Sequence, residues 1–96
     1  MPRYILLINW TAQGVVGAKD SYKRAVAANK MFETAGGKWA HRYYTMGPYD
    51  LVGVVEAPND DAIFKLCMKM AKNGNIRTTT MRAWSDKEAA KILESV

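Results

Sequence analysis

GPYDLVGVVEAP, residues 47–58, decides the fold of this chain. Gly47, Pro48, Tyr49 and Asp50 make a tight connection, because these residue types favour turn geometry. Leu51, Val52, Val54 and Val55 then place apolar side chains on both faces of a strand predicted over 51–57. A strand apolar on both faces belongs in the middle of a sheet that is covered on both sides. Gly53 sits mid-strand, where it costs stability unless something approaches closely or the strand bends. Pro58 and Asn59 lead into a helix predicted over about 60–72, with Asn59 as its cap and Asp60 and Asp61 at its positive end. Ile63, Leu66, Cys67 and Met70 form the apolar stripe of that helix, and Asn73 and Gly74 stop it.

Upstream, residues 3–11 form a first strand that is also largely apolar on both sides. Tyr4, Leu6, Ile8 and Trp10 point one way; Ile5, Leu7 and Asn9 point the other. Residues 12–18 read as a loop with Gly14 and Gly17 as flexible points. A helix follows over about 20–35, its sheet-facing side set by Tyr22, Ala25, Val26, Ala28, Phe32 and Ala35. Gly36 and Gly37 end it. A second strand over about 38–46 carries Trp39, His41, Tyr43 and Thr45 on one face and Ala40, Arg42, Tyr44 and Met46 on the other. Its mixture of aromatic and charged residues suits an edge strand bordering a cavity. Downstream, NIRTTTMRAW (75–84) is a fourth strand, rich in β-branched threonine. Ser85 and Glu88 have the spacing of a capping box that opens a short last helix.

The order β-α-β-β-α-β, then a short helix, is a ferredoxin-like α+β arrangement. Right-handed crossovers put strands one and three in the centre and two and four at the edges. Helices then cover one face. The other face calls for a second subunit, sheet against sheet, in a two-fold arrangement.

Size and composition agree with one domain over residues 1–96. The chain is 49% hydrophobic with three prolines, a composition that argues against disorder. No apolar run reaches the roughly 20 residues needed to span a membrane, and MPRYILLINW lacks the features of a signal peptide. The expected location is cytoplasmic. Cys67 is the single cysteine, so no internal disulfide or cysteine zinc site is expected, and it reads as a small buried hydrophobe. The net charge of +5 attracts anions in general, but the charges are scattered. Lys65, Lys69 and Lys72 read as the solvated face of an amphipathic helix. No phosphate loop, dinucleotide fingerprint or serine nucleophile elbow is present.

The stretches YILLINWTAQG, GPYDLVGVVEAP and NIRTTTMRAW together resemble the GYD domain family. The resemblance covers nearly the whole chain. Pro48 stands between Gly47 and Tyr49, a departure from the literal Gly-Tyr-Asp triplet that a turn accommodates. The resemblance implies a dimeric α+β barrel with no well-defined general activity. GPYDLVGVVEAP and RTTTM are also similar to the effector-binding domain of feast-or-famine transcription regulators. That similarity implies small-molecule binding at subunit contacts, here in a form without the helix-turn-helix. Small dimeric barrel enzymes are further neighbours. Their haem-degrading members use an Asn, a Trp and a proximal His. Asn9, Trp10 and His41 are present here, but His41 lies on strand two and gives no residue-by-residue match.

His41, the only histidine, is a candidate general base or haem ligand, and equally an edge or surface residue. Asn9 either orients a ligand or bonds locally near the strand end. Trp10 and Trp39 offer flat apolar walls or plain packing. Tyr43 is expected on the face of Trp39 and His41. Asp50 caps turn amides or, with Tyr49, lies near a ligand, as the regulator resemblance implies. Arg77 and Arg82 lie on opposite faces of strand four, and either can pair with a ligand carboxylate.

These residues point to a homo-oligomeric domain binding a small organic molecule against Trp and Tyr walls, with one or two polar anchors and no cofactor or metal. The alternative is a small cofactor-independent oxygenase or isomerase with His41 as its base. Nucleic acid is not the expected partner, since strand three presents no stacking aromatic.

Overall fold

Alternating apolar residues in the two central strands organise the protein, whose computed structural model describes residues 1–96. The strands are β1 (Arg3–Trp10), β2 (Lys38–Tyr44), β3 (Leu51–Glu56) and β4 (Ile76–Ala83), in the spatial order β2-β3-β1-β4. Every neighbouring pair is antiparallel. The strands read as apolar on both faces are the central ones, as expected. Leu6 lies opposite Gly53 on one side and Thr80 on the other, which fixes the register of the whole sheet.

Two helices, α2 (Ser21–Thr34) and α3 (Asp60–Ala71), cover one face. The core lies between them and Tyr4, Leu6 and Ile8 of β1 and Leu51 and Val55 of β3. Phe32, Leu6 and Val55 are its largest fully buried side chains, each contributing about 1.5–3 kcal/mol by leaving water. Asn59 caps α3 by accepting from the Ala62 amide at 2.9 Å, and Asp60 and Asp61 occupy its first turn. The Tyr4 hydroxyl donates to Asp60 Oδ1 at 2.5 Å and so ties β1 to the start of α3. Burial, reinforced by that carboxylate, pushes the Tyr4 hydroxyl up to about 12.

The opposite face carries no helix in the protomer. Ile5 and Leu7 of β1 and Val52 and Val54 of β3 form its half-buried apolar centre. Met81 and Thr79 of β4 continue the rows on one side, His41 and Tyr43 of β2 on the other.

Three local expectations give way to physical detail. Residues 12–18 are not a loop: α1 (Ala12–Val16) and a 3-10 turn (Ala18–Asp20) fill the space before α2. Thr11 caps α1 by accepting from the Gly14 amide, and a Cβ on Gly14 would meet the Asn75 carbonyl oxygen at 2.0 Å. The glycine is therefore needed for close packing rather than flexibility. Within α2, Ala25, Ala28 and Phe32 are buried, whereas Tyr22 and Val26 are exposed. The buried stripe is thus narrower than the hydrophobic pattern implies. The third correction concerns β2. Its register shifts between Trp39, opposite Val55, and His41, opposite Val54. One extra residue, Ala40, makes a bulge and reverses the side-chain alternation beyond it. Trp39 and His41 consequently lie on opposite faces.

The last helix, α4 (Asp86–Leu93), buries none of its residues and leaves Ile92 and Leu93 exposed. It is held at its start by a complete capping box between Ser85 and Glu88. Arg3 Nη1 adds a 2.7 Å ion pair to Glu88 Oε1. The Ser85 backbone amide, the Arg3 guanidinium and the Ser85 hydroxyl hold the Glu88 carboxyl down to about 2. A carboxylate depressed in the folded state stabilises above its unfolded value, here 4.5, and that support is lost as pH falls through about 2. Amide protection in α4 should be constant above about pH 4.5 and decline on acidification toward 2. Glu88→Ala should remove this pH dependence; unchanged protection across that window in the parent protein would contradict the assignment.

Candidate ligand site

Small residues on α2 leave room above large ones on the sheet. Ala25 and Ala28 face Trp10 and Trp39 across a cavity of about 140 Å³. Ile8, Leu51 and Ile76 form the rest of the apolar floor, and Met31 and Met70 close it from the helices. Ser21, Arg24, Arg42, Asn73 and Asn75 supply its polar parts.

Trp39 is positioned by three neighbours. The bulge turns it toward the helices, where its ring meets Phe32 edge-on at 5.1 Å and 74°. Gly53 lets the indole lie against the strand, since a Cβ there would be 2.7 Å from Trp39 Cζ2. Arg42 is the cross-strand partner of Gly53, and its guanidinium lies 3.9 Å from the centre of the Trp39 ring. Arg42 also donates to Asn29 Oδ1 at 3.0 Å and to the Ala25 carbonyl at 3.4 Å, which binds β2 to α2. Burial pulls the Arg42 guanidinium below the usual arginine value, yet arginine stays charged at neutral pH.

Arg24 approaches from α2. Its Nη1 donates to the Gly17 carbonyl at 3.0 Å. Arg24 Nη2 and Trp39 Nε1 are both buried without a partner. An unmade bond of this kind costs about 1–3 kcal/mol.

Trp10 is held from behind. Its amide donates to Asp50 Oδ2 at 2.9 Å, and the Asp50 amide donates to the Ile8 carbonyl at 2.9 Å. Asp50 therefore joins the turn to the end of β1. Tyr49 contributes its carbonyl to Thr45 Oγ1 at 2.6 Å within the same turn. The Trp10 ring lies 6.2 Å from that of Tyr44, whose hydroxyl bonds Ser21 Oγ at 2.8 Å. At the far end, Thr11 Oγ1 donates to the Gly74 carbonyl and Gln13 Nε2 to the Asn73 carbonyl, fixing the segment before β4.

Of the residues singled out in the sequence, Trp10 and Trp39 line the cavity, and Asp50 braces Trp10 from outside it. Asn9 and Arg77 are cross-strand partners on the open face. His41 and Tyr43 lie on that face too, nearly parallel at 6.4 Å. They are separated by the sheet from Trp39. Arg24 and Arg42 were missed. Arg42 was recoverable from its place opposite Gly53 only with the bulge known, and Arg24 carried no signal in the sequence. No group of His, Cys, Asp or Glu is arranged to hold a metal ion, and no helix is long and apolar enough to cross a membrane.

Gly53→Ala should drive the new methyl into the indole and lower the unfolding free energy by about 1–3 kcal/mol. Trp39 fluorescence should change with it. Urea unfolding at the parental midpoint would contradict this packing.

The GYD domain model matches residues 4–93. A protein of Thermus thermophilus is 30% identical over 84 residues, covering 86% of this chain and 88% of its own. It is described as a glutamine synthetase and cystathionine beta-lyase binding protein. Among solved structures, the feast or famine regulatory protein of M. tuberculosis, complexed with L-methionine, superposes with a TM-score of 0.66 at 16% identity. That match covers 90% of this chain but 54% of the regulator, so the chain spans about half its length. A solved structure of a Thermus thermophilus protein, at 21% identity and a TM-score of 0.55, is matched over 88% of this chain and 95% of its own.

Proposed function

This chain belongs to the GYD domain family, and from that premise we propose that it is a self-associating module that binds a small organic molecule in the cavity beneath α2. The cavity carries the reading. At about 140 Å³ it accepts an apolar group of about the size of benzene. Binding follows from burying that group against Trp10 and the apolar floor beside Trp39, with polar anchors fixing its orientation. Asp50 is a positioning residue, acting on the ligand through Trp10.

Self-association uses the open face. Ile5, Leu7, Val52 and Val54 form an apolar surface that a second copy buries sheet against sheet. In this reading Asn9, His41, Tyr43 and Arg77 border the contact between copies, and Tyr49 holds the turn beside it. The oxygenase or isomerase alternative needs a proton acceptor next to the substrate, and the cavity is lined by no histidine, aspartate or glutamate.

A second reading, docking to another protein, is favoured by the name of the 30% identical relative, a binding protein for two enzymes.

Native mass spectrometry of freshly purified protein should show a dimer or its multiple carrying a reproducible small-molecule adduct. Ala28→Leu should keep the oligomer and lose the adduct, because the larger side chain fills the cavity. Leu7→Lys should give monomers by sedimentation. An adduct retained in Ala28→Leu would place the ligand elsewhere, and a monomeric parent protein would contradict association through the open face.

A further inference from the structure

The charges around the cavity are all of one sign. Arg24 and Arg42 line it, and none of its 15 lining residues is acidic. Neither guanidinium forms an ion pair; Arg3 with Glu88 is the one ion pair in the protein. Folded proteins seldom leave a buried guanidinium nitrogen unbonded, yet Arg24 Nη2 has no partner, and the same is true of Trp39 Nε1. The other arginine contacts are to neutral acceptors: the carbonyls of Gly17 and Ala25 and the Asn29 amide oxygen. These hold the two side chains in place and leave their positive charge uncompensated. Ten of the lining residues are hydrophobic, so the occupant also needs an apolar body.

Resting on the cavity reading above, we infer that the ligand is a small organic carboxylate with an apolar tail and no α-ammonium group, its carboxylate anchored by Arg24 and Arg42 and its tail lying along Trp10 and the floor of Ile8, Leu51 and Ile76. A guanidinium presents a planar fork of donors that matches a carboxylate. An amino-acid zwitterion is discriminated against, because its ammonium group finds two cations and no carboxylate partner. A bare inorganic anion satisfies the arginines but leaves the apolar floor unfilled.

Calorimetric titration of the 96-residue chain tests this. The probes are phenylacetate and hexanoate, their neutral amides, and L-phenylalanine as the zwitterion. The two carboxylates should bind at least about 10-fold more tightly than the amides or L-phenylalanine. Arg24→Gln should weaken carboxylate binding by about 10-fold or more and leave the amides unaffected. Arg42→Gln should do the same, with Arg42→Lys recovering part of the loss. If Arg42→Gln melts early because its stack on Trp39 is lost, Arg24→Gln decides. Amides or L-phenylalanine binding as well as the carboxylates would overturn the carboxylate inference and leave the cavity reading standing. No binding by any probe would overturn both.

Discussion

One extra residue in an edge strand governs this protein. Ala40 interrupts the pairing of β2 with β3 and reverses the alternation beyond it. Trp39 is thereby sent to the helix side and His41 to the open side. The absence of a side chain at Gly53 lets the indole lie against β3, and Arg42 covers its other surface at 3.9 Å. Strand, indole and guanidinium thus form a stack that reaches up to α2 through Asn29 and the Ala25 carbonyl. The cavity exists because this stack stands at one side of α2 while Ala25 and Ala28 leave the space beside it open.

The two faces of the sheet then differ in character. The helix face holds an apolar cavity with uncompensated positive charge. The open face is a flat apolar surface whose polar residues stand at its borders. A protomer of this size has helices for one side only, so the second side is suited to another copy.

Much of the architecture was legible in the sequence. The apolar double-faced strands placed β1 and β3 at the centre, and Asn59, Ser85 and Glu88 marked the helix starts through their capping chemistry. The family resemblance rested on the same stretches that the GYD model matches. The site was legible only in part. Trp10 and Trp39 were identifiable as flat walls, but grouping Trp39 with His41 and Tyr43 assumed a regular strand. A bulge leaves no local mark in KWAHRYY, because it depends on how two strands pair. Arg24 was hidden for a related reason: a lone arginine on a helix reads as solvated until the neighbouring sheet residues are known. Gly53, mid-strand, calls for a close approach, and the indole of Trp39 supplies it. Residues 12–18 read as a loop because Gly14 suggests a flexible point, whereas it is a packing contact against Asn75.

Everything about the site depends on the face to which Trp39 belongs. The most direct measurement is a set of nuclear Overhauser contacts from the Trp39 indole protons in solution. Contacts to the Phe32 ring and to the Gly53 α protons, and none to the Tyr43 ring, are the expected result. Contacts between Trp39 and Tyr43, with none to Phe32, would mean a regular strand with both aromatic residues on the open face, and would contradict the cavity, its arginines and the ligand assigned to it.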